Sequence, residues 1–201
     1  MKIAIFGATG MIGSQIAAEA LSRGHQVTAI SRSGKTVPGA TALAAELADA
    51  AAVASAANSH DAVVLATGPS RTGEDHQPWL DAMATALANV GATRTLVVGG
   101  AGALMIDGQR LVDLPGFPEA YKPEALTLAA AYDAITALPE SVNWTVQAPA
   151  PQIAPGTRTG TYKVGANSPA GDTISTQDFA VAIIDELETP RHIRARYSVA
   201  N

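Results

Sequence analysis

Residues 2–6 read KIAIF, residues 7–13 GATGMIG, residues 14–25 SQIAAEALSRGH and residues 26–32 QVTAISR. In order, these are a short apolar strand, a glycine-rich turn, an amphipathic helix closed by Gly24, and a second apolar strand. That sequence of periodicities predicts one β-α-β unit with Gly7, Gly10 and Gly13 at the turn from strand into helix. Gly7 suits the tight turn, Gly10 lets a pyrophosphate approach the backbone, and Gly13 lets helix and strand pack closely. The unpaired N–H groups and dipole of the helix N-terminus favour an anion there. The stretch therefore predicts a dinucleotide site.

Outward from this unit, strand and helix signals alternate to the end of the chain. A polar turn, 33–39, leads to a short third strand near Thr41–Leu47. Asp49 caps a helix over 49–58, and AVVLA (62–66) is a buried strand. A helix over 79–90 turns Leu80, Met83, Ala84, Leu87 and Val90 inward, and strand 95–98 runs into Gly99–Gly102. A long loop, 103–122, precedes helix 124–138, which Pro123 opens. Strand 143–147, a Pro-, Gly- and Thr-rich stretch 148–171, a helix 178–188 capped by Thr176, and strand 193–199 complete the reading. Such alternation predicts an α/β fold of Rossmann type: a doubly wound parallel sheet, three layers, in a single domain over 1–201. Segments 103–122 and 149–175 are expected to add a small substrate-side region. Ligands bind at the carboxyl ends of such strands, which selects loops 7–13, 31–33, 67–71, 99–122 and 148–158.

With 201 residues, 47% of them apolar and 15% charged, the chain suits one well-buried domain. A net charge of -5 with dispersed Lys and Arg argues against a nucleic-acid surface. No apolar run approaches the roughly 20 residues of a membrane span, and the start lacks a signal-peptide layout, so a cytoplasmic location away from membranes is expected. There is no cysteine, which excludes disulfides and thiolate chemistry. His25, His60 and His192 have no metal-ligand spacing, and no metal is expected.

The end of the second strand discriminates between nicotinamide cofactors. An acidic residue there would hydrogen-bond a ribose 2'-hydroxyl, whereas a 2'-phosphate needs a cation. Here the sequence is Ile30-Ser31-Arg32-Ser33, and no acid occurs between Glu19 and Glu46. Arg32 offers a planar fork to phosphate, with Ser31, Ser33 and Lys35 adjacent. NADPH is the expected cofactor, with NADH left open.

GATGMIG, AISRS (29–33), HDAVVLATGP (60–69), LVVGGAGAL (96–104), PGFPEAYKPEA (115–125) and APAPQIAPGTRTGTY (148–162) together resemble the atypical short-chain dehydrogenases of the NAD(P)H-binding, NmrA-like group. Within it the chain is similar to bacterial NADH-flavin reductases and to the flavin reductase/biliverdin-IXβ reductase of animals. The resemblance covers essentially the whole chain. It implies an oxidoreductase with Gly7, Thr9, Gly10, Met11 and Ile12 around the pyrophosphate and Arg32 at the adenosine ribose. Glu46 and Leu47 stand where the family has an Asp and an apolar residue at the adenine. Gly68, Pro69, Gly99, Gly100 and Ala101 would flank the nicotinamide ribose, and Pro149 the nicotinamide.

Typical short-chain dehydrogenases use a Tyr-x-x-x-Lys pair to trade a proton with a carbonyl oxygen. None of Tyr121, Tyr132, Tyr162 and Tyr197 has lysine four residues on. Carbonyl reduction and epimerisation thus lose their usual acid. Hydride delivery to a flavin or quinone-like ring needs mainly orientation of two stacked rings, with flavin an exchangeable substrate. A glycine wall at 99–102 would suit such a flat acceptor. Tyr121, Lys122 and His76 are the catalytic candidates, and Arg71 and Arg158 the substrate-binding ones. The alternative is a non-catalytic NADP(H) sensor of the NmrA-like type acting on a protein partner. A homodimer is also left open.

Overall fold

The computed structural model describes residues 1–35 and 37–201; Thr36, inside the expected turn 33–39, lies outside the described residues. Strand β1 (Lys2–Phe6), helix α1 (Gly13–Ser22) and strand β2 (Gln26–Ser31) form the opening unit, with β1 and β2 parallel from Lys2–Gln26 to Phe6–Ile30. Next come β3 (Thr41–Ala44), α2 (Ala50–Ser59), β4 (Ala62–Leu65), α3 (Gln77–Asn89) and β5 (Arg94–Val98). A small hairpin, β6 (Met105–Ile106) and β7 (Gln109–Arg110), precedes α4 (Lys122–Thr136) and β8 (Trp144–Pro149). The chain ends with β9 (Gln152–Ala154), β10 (Lys163–Gly165), β11 (Thr173–Ser175), α5 (Thr176–Glu188) and β12 (Ala195–Ala200).

The main sheet runs β3-β2-β1-β4-β5-β8-β12-β10. Strand order reverses between β1 and β4, which opens the crevice at their carboxyl ends. Every pairing is parallel except that of β10 with β12, so the expected all-parallel sheet carries one antiparallel edge strand. The inner strands are apolar runs because both faces are covered: β4 and β8 are buried at every residue. On one face α1 and α5 pack around Ile16, Ala20, Phe179, Ile183 and Val199; on the other α2, α3 and α4 enclose Phe6, Val53, Met83, Ile135 and Val146. These are the three layers that alternation predicts.

Local differences have local causes. β3 ends at Ala44 rather than near Leu47, because Leu47 turns down into the core under α2. Along α3 and its C-cap the buried stripe is Met83, Ala86, Leu87 and Val90, leaving Ala84 exposed; a methyl group is too small to set the helix face. Ser175, not Thr176, caps α5, its Oγ accepting from the Asp178 N–H at 2.9 Å. The Pro-, Gly- and Thr-rich stretch 148–171 holds β9, which pairs in parallel with β11, and β10.

Candidate functional site

The turn between β1 and α1 is held by its own backbone. The Gly7 N–H donates to the Ile30 carbonyl and the Gly10 N–H to the Gly7 carbonyl, each at 3.0 Å. Gly7 has φ +81°, and a Cβ there would lie 2.6 Å from the Ala66 oxygen. A Cβ on Gly13 would overlap the Gly7 carbonyl oxygen and stand 2.8 Å from its carbon. Glycine at both positions is thus required by the close approach of β1, β4 and α1. The N–H groups of Thr9, Met11, Ile12 and Gly13 find no backbone acceptor among the described residues, and the first turn of α1 carries no acid. Thr9, Gly10 and Met11 are exposed, while Ile12 packs partly on the core. This group of donors at a helix start, exposed at Thr9 and Met11, fits a dinucleotide's pyrophosphate.

Beside it, an open recess of about 470 Å³ is lined by Arg32, Ala44, Ala45, Glu46, Ala48 and Asp49. Arg32 and Ser33 are exposed, whereas Ser31 is buried and its Oγ accepts from the Lys35 N–H at 3.1 Å. Of the Glu46–Leu47 pair only Glu46 faces the recess. Leu47 is 9% exposed and packs with Val53 and Phe6.

At the carboxyl end of β4, Gly68 is exposed, with nothing within 4 Å of a Cβ built there; Pro69 beside it is buried. Pro149 is buried at the end of β8. Gly99, Gly100 and Ala101 follow β5, and their setting alters the expectation of a flat wall. A Cβ on Gly100 would stand 2.7 Å from Leu128, one on Gly102 2.8 Å from Ala125, and one on Gly99 2.7 Å from Val146. The absent side chains of Gly100 and Gly102 make room for α4, and that of Gly99 for β8.

The loop after β4 is tied to α4. Arg71 grips Glu124 with two hydrogen bonds of 2.8 and 2.7 Å, a pairing that raises the pKa of the arginine. His76 bonds Thr127 at 2.7 Å through Nδ1 and donates from Nε2 to the Ser70 carbonyl at 2.8 Å. Both ring nitrogens are engaged, so His76 pins a loop in this state. Tyr121 is 63% exposed in a single helical turn ahead of α4, and Lys122 pairs with Glu119 at 3.0 Å. The other three phenols lie elsewhere. Tyr132 stacks under Arg196, Tyr162 donates to Asp185, and buried Tyr197 donates to Gln147.

Arg158 is drawn away from the crevice. Its fork holds Glu19 on α1 with bonds of 2.7 and 2.8 Å. Glu19 is only 6% exposed and also accepts from Arg23 at 2.8 Å. The bonds from Arg158, then those from Arg23, hold the Glu19 carboxyl below its ordinary pKa despite burial. Asp178, fully buried, pins the same loop by accepting from the N–H groups of Thr159 and Gly160 at 2.9 and 2.8 Å. The GTRTG stretch is thus a strap across α1 and α5. Among the described residues no group of three or more His, Asp or Glu side chains is placed to hold a metal.

A family model described as NAD(P)H-binding matches residues 7–190. The uncharacterized protein YwnB of Bacillus subtilis is 37% identical over 211 residues, spanning 100% of this chain and 99% of its own. Among solved structures, a protein of Streptococcus pneumoniae named as a candidate NADH-flavin reductase superposes with a TM-score of 0.91 at 33% identity, over 100% of this chain and 99% of the other. A Burkholderia pseudomallei protein named as a candidate exported protein superposes with a TM-score of 0.87 at 41% identity, over 100% of both chains. Among the described residues no helix is long and apolar enough to cross a membrane.

Proposed function

The chain belongs to the NAD(P)H-binding family, and from that premise we propose that it is an NAD(P)H-dependent reductase that passes hydride to a flavin or quinone-like planar acceptor. The observation that carries this reading is a crevice with a complete anion cradle and no paired acid. The N–H groups of 9 and 11–13 find no backbone acceptor among the described residues, and none of the four tyrosines has a lysine four residues on. A ring acceptor needs orientation and an electron pair, and solvent can protonate it afterwards. The pneumococcal relative's name is in line with such an acceptor.

In this reading the N-terminus of α1 binds the pyrophosphate, Arg32 holds a 2'-phosphate in the recess beside Glu46, and Gly68 lies against the nicotinamide ribose. The reduced nicotinamide, when bound, supplies the hydride. Segments 103–122 and 149–175 border the acceptor. NADPH is favoured over NADH by the exposed fork of Arg32 at the end of β2, where an acid would select NADH.

The test is oxidation of NADPH by the purified protein with FMN, riboflavin and small quinones, after subtracting direct chemical reduction. Saturable, protein-dependent turnover is expected. Binding of NADPH without turnover on any of these acceptors would refute the reductase and favour a cofactor sensor.

A further inference from the structure

Strand β4 ends at Leu65, and α3 does not begin until Gln77. Among the described residues, none of 67–75 makes a backbone–backbone hydrogen bond. Side chains hold the segment instead. At its start the Trp79 indole N–H donates to the Thr67 Oγ1 at 3.2 Å. At its end His76 reaches back to the Ser70 carbonyl at 2.8 Å and out to Thr127 on α4 at 2.7 Å. Residues 71–75, between these ties, are all exposed. Of these five, Arg71 alone bonds to α4 among the described residues: its Nε and Nη2 hold the two carboxylate oxygens of Glu124 at 2.8 and 2.7 Å.

That tie has a direction. A Cβ on Gly100 would meet Leu128 and one on Gly102 would meet Ala125, so the first half of α4 lies beside the carboxyl end of β5. The segment leaves the carboxyl end of β4, in the crevice, and is drawn past β5 toward α4. Gly68 stands at the start of this span, exposed, with nothing within 4 Å of a Cβ built on it. Pro69 beside it is buried, and two residues on the Arg71 fork sets the path by which the chain leaves.

An exposed ion pair ordinarily adds little to stability, because solvent screens it and two long side chains must be ordered. This pair has the planar two-bond geometry that fixes direction as well as distance, and its acid is only 16% exposed. We propose that the Arg71–Glu124 pair is a positioning device for the nicotinamide half of the cofactor, holding the segment after β4 in the path that sets Gly68 against the nicotinamide ribose. This rests on the cofactor placement given above. Arg71 acts here through the backbone it holds. With the pair broken the segment samples other paths, and affinity falls in proportion to the time spent in the competent one. The adenosine half, placed on β1, β2 and α1, is outside the reach of the segment.

The test compares whole and truncated cofactors by calorimetric titration. NADPH and NADH are the whole ligands; adenosine 2',5'-bisphosphate and ADP are their counterparts without the nicotinamide and its ribose. Arg71→Met and Glu124→Gln are each expected to weaken the whole cofactor about tenfold, a competent path populated about a tenth of the time, and to leave the truncated ligand within about twofold. The double variant should be no weaker than either single one, since each breaks the same pair. Arg71→Lys, which keeps the charge without the fork, should recover part of the loss. Unchanged affinity for the whole cofactor in both single variants would overturn the proposal. So would additive losses in the double variant, or an equal loss of whole and truncated ligand in a variant that melts as wild type does. A selective loss in a protein whose wild type turns over no acceptor would keep the positioning role and refute the reductase. Failure of wild type to bind either whole cofactor would overturn both.

Discussion

Replacing Gly13 by alanine probes the cofactor cradle at its tightest point. The new Cβ would overlap the Gly7 carbonyl oxygen, stand 2.8 Å from its carbon and 3.1 Å from the Ala8 Cα. All three are backbone atoms, so no side chain can rotate away. Restoring ordinary contact at the carbon alone requires α1 to withdraw by ~0.6 Å, and the oxygen demands more. Overpacking of this kind costs about 1–3 kcal/mol. A chain of this length loses about 2–4 °C of Tm for each kcal/mol. Binding suffers more, because withdrawal carries off the Met11, Ile12 and Gly13 N–H groups together. Loss of two charge-assisted hydrogen bonds, at about 1.5–3 kcal/mol each, weakens NADPH by about 100-fold or more. The assays are thermal melting without cofactor and calorimetric titration with NADPH. A folded Gly13→Ala protein that binds NADPH within about threefold of wild type would refute placement of the pyrophosphate on this turn.

Arg32→Ala should weaken NADPH by about tenfold, a modest factor because the arginine is solvent-exposed, and change NADH by far less, as measured by parallel titrations. Gly68→Ala meets nothing within 4 Å, so its melting point should stay level or rise slightly; a fall in NADPH affinity in the same protein reports contact with the cofactor. Glu19 has its folded pKa below the ordinary 4.5, so its pairing stabilises the protein fully above that value and is lost as pH falls through the folded pKa. Melting points should therefore drop on acidification, and Glu19→Gln should start lower at neutral pH and drop less steeply.

The opening unit was legible because one short stretch holds both its periodicities and its glycines. The layers followed from repetition of the same alternation, and the antiparallel β10 did not, since three residues inside a Pro- and Gly-rich stretch carry no period. Arg158 read as an anion-binding loop residue because its partner, Glu19, is 139 residues away in sequence. The burial of Glu19 on α1 was a signal available only from its position on the face shared with Ile16 and Ala20. Gly99 and Gly100 looked like a wall for a ligand, and the structure assigns their smallness to packing on β8 and α4. Arg196 escaped notice altogether: in ARYSVA it reads as the polar partner in an edge-strand alternation, and the cover of Tyr132 and the contact with Asn167 bury it.

Direct, oriented hydride transfer is the central claim, and the fate of deuterium tests it. Two samples of NADPH, each deuterated on one face of C4, are oxidised by the protein with its best acceptor, and the NADP⁺ formed is weighed by mass spectrometry. A nicotinamide held against one side of the crevice loses all deuterium from one sample and none from the other. Mixed loss from both samples would mean that the reaction occurs in solution and not in the crevice.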